Sequence, residues 1–124
     1  MMNAVLSNHP SSSVEILSFV MFLEELRRAA RFVTPSSAAD PLDAALQAIR
    51  RNPALPQSRL LGRILEAYNG HGTSFRRAET AAFDKEHLAL LAALMNAHDT
   101  DSYDQPARAA AAEAAMLALR EIDC

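Results

Sequence analysis

The sequence predicts an all-α fold, a compact bundle of five to six helices around a central hydrophobic N-terminal helix. The chain has 25 Ala and 16 Leu residues but only eight Val and Ile residues in total. Ala and Leu favour helices, whereas β-branched residues favour strands. With only three Gly residues, few hairpin turns are expected.

The first helix is predicted over residues 14–33, the densest run of large apolar side chains in the chain. Ser12 and Glu15 fit an S-x-x-E capping box at its start, and Pro35 ends it because proline disfavours helical geometry in the preceding residue. At 100° per residue, one broad apolar face forms. That face contains Ile16, Phe19, Phe22, Leu23, Leu26, Ala30 and Val33, of which Ile16, Phe19, Leu23 and Leu26 are the predicted core.

A second apolar stripe, formed by Val14, Leu17, Met21 and Phe32, lies on the other side of this helix. A helix that is apolar on two sides is usually buried on two sides, so one interpretation is that other helices of the chain pack against the stripe. The alternative is that another protein or a second copy of the chain packs there. The predicted protein-interaction residues are therefore Leu17, Met21, Arg28 and Phe32.

The remaining helices are predicted from start and stop signals along the chain. Asp40 caps a second helix that closes at Arg50 and Arg51, and Asn69-Gly70 ends a third that opens at Pro56. Asp84 caps a fourth that runs to His98. The last helix, rich in Ala, runs from Pro106 to about Ile122, and residues 75–83 form a short helix anchored by Phe75 and Phe83.

Length and composition predict a flexible N-terminal arm over residues 1–11 and a single helical domain over residues 12–124. The one cysteine, Cys124, allows no internal disulfide and fits a reducing compartment. The start of the chain lacks the features of a signal peptide, and the first apolar run is too short to cross a bilayer. A cytoplasmic protein without membrane contact is expected.

The net charge of −3 conceals a basic central block. Residues 27–77 contain nine Arg against three acidic residues, whereas residues 78–124 contain three basic and nine acidic residues. Arginine forks bind phosphate or carboxylate, so a helix-turn-helix built from the third helix and residues 70–77 is one hypothesis. Its DNA contacts would be Arg59, Arg63, Arg76 and Arg77. The alternative is that the acidic C-terminal half covers the block.

No residue pattern indicates a catalytic, cofactor or metal site. His71 between two glycines lacks a neighbouring nucleophile motif, and His87 and His98, about 16 Å apart along one helix, cannot share a metal. Asp99, Asp101 and Asp104 lack the Gly and Glu positions of a calcium loop. We therefore expect no enzyme activity and no cofactor.

A segment of about 35 residues resembles short bacterial proteins carried on plasmids and integrative elements. The resemblance lies in Gln57-Ser58-Arg59, in Ile64 to Asn69, and in Phe75 and Phe83-Asp84. Those proteins usually have Trp near the end of this helix and after the loop, and this chain has none. The resemblance implies a mobile-element accessory protein and supplies no catalytic residues.

Together these observations predict a small non-enzymatic protein-binding protein, an adaptor or an inhibitor of a bacterial macromolecular machine. The second apolar stripe and the segregated charge are the reasons. An Arg-mediated DNA-binding regulator is the alternative. The expected partner is another protein or a second copy of the chain, with nucleic acid as the second choice.

Overall fold

Five α-helices and a two-stranded sheet make up the part of the chain that the structure, a computed structural model, describes: residues 16–70 and 72–120. The elements are β1 (Ile16–Leu17), α1 (Phe19–Ala29), α2 (Pro41–Arg51), α3 (Pro56–Tyr68), β2 (Phe75–Arg76), a 3-10 helix (Arg77–Ala81), α4 (Lys85–Asp99) and α5 (Gln105–Arg120). The predicted small all-α bundle is confirmed.

The first helix is shorter than the sequence predicted at both ends. Ser18 is its N-cap, and the Ser18 hydroxyl accepts a hydrogen bond from the backbone N–H of Met21 at 3.2 Å. Ile16 and Leu17 are strand residues, so a helix through them from Ser12 is wrong; residues 12–15 lie outside the described part. The helix ends at Ala29, four residues before Val33, because the chain turns at Ala30 to Val33.

Strand β1 pairs in antiparallel register with β2, Ile16 opposite Arg76 and Leu17 opposite Phe75. The predicted short helix over residues 75–83 is therefore replaced by a strand and one 3-10 turn. Phe75 and Phe83 are both buried, which confirms that they anchor this segment. The Phe75 ring stacks on Phe22 with centroids 4.2 Å apart, and this contact joins the sheet to α1.

The helix with the most buried residues is α3, in which eight of 13 residues are buried. Helix α1 contributes Phe22, Leu23 and Leu26 to the core. Ile16, predicted as core, is 61% exposed because the strand turns its side chain away from the interior. The N-terminal helix thus lies on one side of the bundle and α3 lies nearer the centre.

Helices α2, α3 and α5 pack together in a layer that we call the bundle side. Small residues permit the close approach of α3 and α5: Ala112 and Ala115 are buried on α5. A Cβ added at Gly62 would lie only 2.6 Å from Leu119 Cδ1. The buried residues of the Ala-rich last helix therefore belong to a helix that packs on α2 and α3 rather than on α1.

Helix α4 contacts both α1 and α2 and so connects the bundle side to α1 and the sheet. Asp84 caps α4 by accepting from the backbone N–H of His87, as predicted. The segment between α1 and α2 crosses α4, where Ser36 N donates to Ala89 O at 2.9 Å. Two cavities open along α4 on either side of this crossing.

Candidate functional site

Three of the four predicted interaction residues lie on the surface, on or just after α1. Phe32 is 88% exposed, more than any other exposed large apolar residue of the described chain, and Met21 is 46% exposed. The Arg28 side chain is 64% exposed. Val20, which is not among the predicted interaction residues, is 66% exposed. Helix α1 therefore presents apolar and basic side chains to solvent.

Leu17 does not belong to this surface, and its assignment as an interaction residue is wrong. Its side chain is fully buried because the two residues of β1 alternate between the two faces of the sheet. Ile16 takes the outward position and Leu17 the inward one. A helical wheel assumes one period throughout, so it could not detect this change of period at Ser18.

Arg28 is held in place by an ion-pair cluster around Glu25. The Glu25 carboxylate accepts from Arg28 at 3.1 Å and from Arg77 of the 3-10 helix at 2.9 Å. Only 21% of the Glu25 side chain is exposed. The cluster fixes one edge of the exposed α1 surface against the segment that follows β2.

A cavity of about 540 Å³ opens next to Phe32. Phe32, Val33 and Thr34 line one side of this cavity, which we call the Phe32 groove. Lys85, Glu86 and Ala89 of α4 line the other side. The Arg31 guanidinium lies over the Phe32 ring at 4.8 Å, a cation–π arrangement that places positive charge at the rim.

The four arginines proposed as DNA contacts do not form a helix-turn-helix. After α3 the chain enters β2 and a 3-10 helix of five residues, which is too short to be a recognition helix. Arg63 donates to Glu79 at 2.6 Å and to Ser74 O at 2.7 Å. The predicted helix-turn-helix is therefore wrong, since the segment that contains Arg76 and Arg77 forms a strand and a 3-10 helix instead of an α-helix.

Acidic residues of the C-terminal half neutralise part of the basic block. Partial burial opposes ionisation of Glu79, but hydrogen bonds from Arg63 and from Arg76 N hold the pKa of Glu79 below its ordinary value. Arg27 donates twice to Asp99, at 2.7 and 2.8 Å. Arg59 and Arg76 remain on the surface, so two of the four predicted contacts are exposed.

The Arg27–Asp99 pair lies near a buried tyrosine. Tyr68 is 8% exposed, and its hydroxyl has no hydrogen-bond partner among the described residues. Burial raises the pKa of Tyr68 well above its ordinary value of 10.0. Its ring contacts Phe19 edge-on at 5.3 Å and His98 at 4.5 Å. His98 thus packs on an aromatic ring, and Asp99 is engaged by Arg27.

The second cavity on α4 lies between α2 and α4 and has a volume of about 330 Å³. We call it the α2–α4 cavity. It is lined by Ala44, Gln47, Ala48 and Arg51 of α2, by Glu86, His87 and Leu90 of α4, and by Ser36. This site could not be recognised from the sequence because its members come from three separate segments.

His87 of this cavity has a defined orientation. Its Nδ1 lies 2.8 Å from Asp84 Oδ1, and its ring stacks on Phe83 with centroids 6.2 Å apart. Hydrogen bonds from the His87 backbone and ring hold the pKa of Asp84 below its ordinary value. Asp84 and His87 are three residues apart in the first turn of α4, so this spacing was the available sequence signal.

Ser36 lines the same cavity as His87 without forming a catalytic pair. The Ser36 hydroxyl accepts from the backbone N–H of Ala38 at 3.2 Å. Within the described residues, no hydrogen bond joins Ser36 to His87. His71 and Cys124 lie outside the described residues.

Comparisons with protein-family models, curated proteins and solved structures gave no match for this chain. No described helix has both the length and the apolar character needed to span a membrane. The described residues contain no group of three or more His, Cys, Asp or Glu side chains placed to hold a metal ion.

Proposed function

We propose that this chain is a small non-enzymatic protein-binding protein that docks through the Phe32 groove. The observation that carries the proposal is the exposure of Phe32, 88%, at the lip of a groove of about 540 Å³. Burying a phenylalanine side chain contributes about 1.5–3 kcal/mol. Aromatic and arginine side chains dominate binding energy at protein interfaces, and Arg31 lies over the Phe32 ring.

The charges around the groove define the chemistry of the partner. Arg31 at the rim and Lys85 in the wall are opposed by Glu86 in the same wall, and Arg28 lies on the adjoining surface of α1. An acidic segment of another protein, with one apolar side chain that enters beside Phe32, complements this arrangement. Surface complementarity of this kind raises the rate of association and selects against basic partners.

An adaptor or an inhibitor is the role that we infer for such a surface. Both act by occupying a site on another macromolecule and need one rigid anchor rather than a catalytic constellation. The Glu25 cluster with Arg28 and Arg77 supplies rigidity near the anchor. The resemblance to proteins of plasmids and integrative elements supports a partner in a bacterial machine.

Site-specific photo-crosslinking tests this proposal. A photoreactive phenylalanine analogue replaces Phe32 in one variant and Leu117 in a control variant, in cells that naturally produce the chain. Leu117 is 53% exposed and lies on α5, which packs on α2 and α3. We expect position 32 alone to crosslink to an acidic segment of another protein, and Arg31→Glu to reduce the yield.

Three results would contradict the proposal. Equal yields at positions 32 and 117 would show that contact is non-specific. A crosslink from position 32 to a peptide of the chain itself would assign the groove to a second copy. Absence of any crosslink at position 32 would show that no protein occupies the groove.

A DNA gel shift at two salt concentrations separates the protein-binding proposal from the DNA-binding alternative. Non-specific DNA binding has a Kd of about 10⁻⁴–10⁻⁶ M at physiological salt and weakens steeply as salt rises. We expect no such binding, since Arg63 and Arg77 are engaged by Glu79 and Glu25. Salt-sensitive binding that is lost in Arg59→Ala or Arg76→Ala would favour the DNA-binding regulator instead.

A further inference from the structure

The α2–α4 cavity carries opposite charges on its two walls. Arg51 is the last residue of α2, and Glu86 lies in the first turn of α4. Both line the cavity, yet within the described residues neither side chain forms an ion pair or a side-chain hydrogen bond. The two charges line one cavity from two helices without pairing with each other, so both are available to a ligand of matching charges.

We infer that the α2–α4 cavity binds a small zwitterion with one carboxylate and one ammonium group, an amino acid or a close relative. The Arg51 guanidinium binds a carboxylate with two parallel hydrogen bonds, assisted by the amide of Gln47. The Glu86 carboxylate accepts from the ammonium group. This inference does not depend on the protein docking proposed for the Phe32 groove.

His87 adds a directional acceptor to the ammonium side of the cavity. A carboxylate can only accept, so the contact of 2.8 Å with Asp84 places the ring proton on Nδ1. When the ring carries only this proton, Nε2 is an acceptor, and stacking on Phe83 limits rotation of the ring. Histidines that bind ligands or metals are commonly oriented by a carboxylate in this way.

The size and the lining of the cavity limit the ligand further. Ala48 and Leu90, which are both buried, and Ala44 form the apolar part of the lining. A volume of about 330 Å³ is at the lower end of small-molecule sites, which are about 300–1,000 Å³. A nucleotide is disfavoured, since the cavity offers one arginine against Glu86 and the neighbouring Asp84 for several phosphate charges.

NMR titration of the full chain, with resolved amide signals, tests the inference. The probes are the individual L-α-amino acids and 4-aminobutyrate, with acetate and methylammonium as ligands of single charge. All are used up to the order of 10 mM, so that binding with a Kd of about 1 mM is detected. We expect at least one zwitterion to shift signals of α2 and α4, and neither single-charge ligand to do so.

Charge-neutralising variants test which residues bind the probe. Arg51→Gln and Glu86→Gln should each weaken binding about tenfold or more, since each removes a charge-assisted contact. The matched controls are Arg50→Gln and Lys85→Gln, neighbours that line other cavities, and both should bind as the natural chain does. Phe32→Ala should also leave this titration unchanged, which separates it from the docking test.

The inference is overturned if no zwitterion shifts these signals, or if acetate or methylammonium binds as well as the best zwitterion. An equal loss of binding in Arg51→Gln and Arg50→Gln would also overturn the inference, because general surface charge would then explain the binding. Circular dichroism of each variant shows whether the fold is retained. If Arg51→Gln loses its fold, Gln47→Ala replaces it as the test of the carboxylate side.

Discussion

Different kinds of sequence information determine the structure of the bundle side and that of the region around α1. On the bundle side, α2 begins at the capping residue Asp40, and α3 ends beside Gly70, whose φ is +88°. Around α1, the cap at Ser18 follows a strand that pairs with residues almost 60 positions later. Local signals therefore define the first region, whereas a distant pairing partner defines the second.

This difference explains where the helical wheel failed. Residues Ile16 and Leu17 have the apolar character of a helix face when only their neighbours are considered. Their conformation is decided by Arg76 and Phe75, which the periodicity of residues 14–33 does not contain. The largest stabilising contacts around α1 should accordingly be long-range contacts between aromatic side chains.

The substitution with the largest predicted effect on stability removes the contact between α1 and the sheet. Phe75→Ala should lower the free energy of unfolding by about 3–5 kcal/mol, the usual range for a buried phenylalanine, since Phe75 is 1% exposed and stacks on Phe22. Urea unfolding measures the loss. Phe32→Ala is the control and should change stability by about 0.5 kcal/mol or less, because Phe32 is 88% exposed.

A double-mutant cycle with Phe22→Ala sharpens this result. The two changes should be non-additive by about 0.5–1.5 kcal/mol if the stacked rings stabilise each other beyond their burial. Additive losses would show that each ring contributes only through its own burial. A small effect of Phe75→Ala would mean that β1 and β2 do not hold α1 in place.

The second effect, on the bundle side, concerns the close approach of α3 and α5. Gly62→Leu should lower the free energy of unfolding by about 1–3 kcal/mol through overpacking, since even a Cβ at this position lies 2.6 Å from Leu119 Cδ1. Adding Leu119→Ala should restore part of the loss. Gly72→Ala is the control, because a Cβ there meets no atom within 4 Å.

Much of the fold could be predicted from the sequence, and little of either candidate site. The caps at Asp40 and Asp84 and the turn at Gly70 are local, so they were found. Phe32 was selected from its position on a stripe, although the helix ends before it. Arg51 and Glu86 lie on separate helices, and no spacing along the chain indicates that they share a cavity.

A third prediction compares the two helix caps. Ser18→Ala should lower the free energy of unfolding by about 1 kcal/mol, the usual effect of losing an N-cap side chain. Asp40→Ala should lower it by more, since Asp40 accepts from Asp43 N and also from the Tyr103 hydroxyl. Thermal unfolding of both variants measures the difference. An equal loss would show that the Tyr103 contact contributes nothing.

The same cap predicts a dependence on pH. The hydrogen bonds from Tyr103 and then from Asp43 N hold the pKa of Asp40 below its ordinary value of 3.8. A lowered pKa in the folded state stabilises the fold at pH values above the ordinary pKa, and this contribution disappears as pH falls through the folded value. The natural chain should therefore be more stable than Asp40→Asn near neutral pH, and this difference in the free energy of unfolding should decrease below about pH 4. Urea unfolding at several pH values measures the difference.

The smallest effects concern two buried hydroxyl groups at opposite ends of α3. Ser58 lies in the first turn of α3, and Tyr68, its last residue, contacts Phe19 of α1. Each hydroxyl is buried without a partner among the described residues. Removing an unpaired buried polar group is neutral or stabilising by up to about 1 kcal/mol, so neither Ser58→Ala nor Tyr68→Phe should destabilise the chain. A clear loss of stability in either variant would show that its hydroxyl has a partner, such as a bound water.

Alkaline pH distinguishes the two hydroxyl variants. Burial raises the pKa of Tyr68 above its ordinary value of 10.0, so in the folded state the phenol stays protonated where the unfolded chain loses its proton. The fold is then progressively destabilised as pH rises above about 10. Tyr68→Phe should remove this part of the stability loss at alkaline pH, whereas Ser58→Ala should show the same loss as the natural chain. Equal alkaline losses of stability in both variants would show that Tyr68 ionises without resistance from the fold.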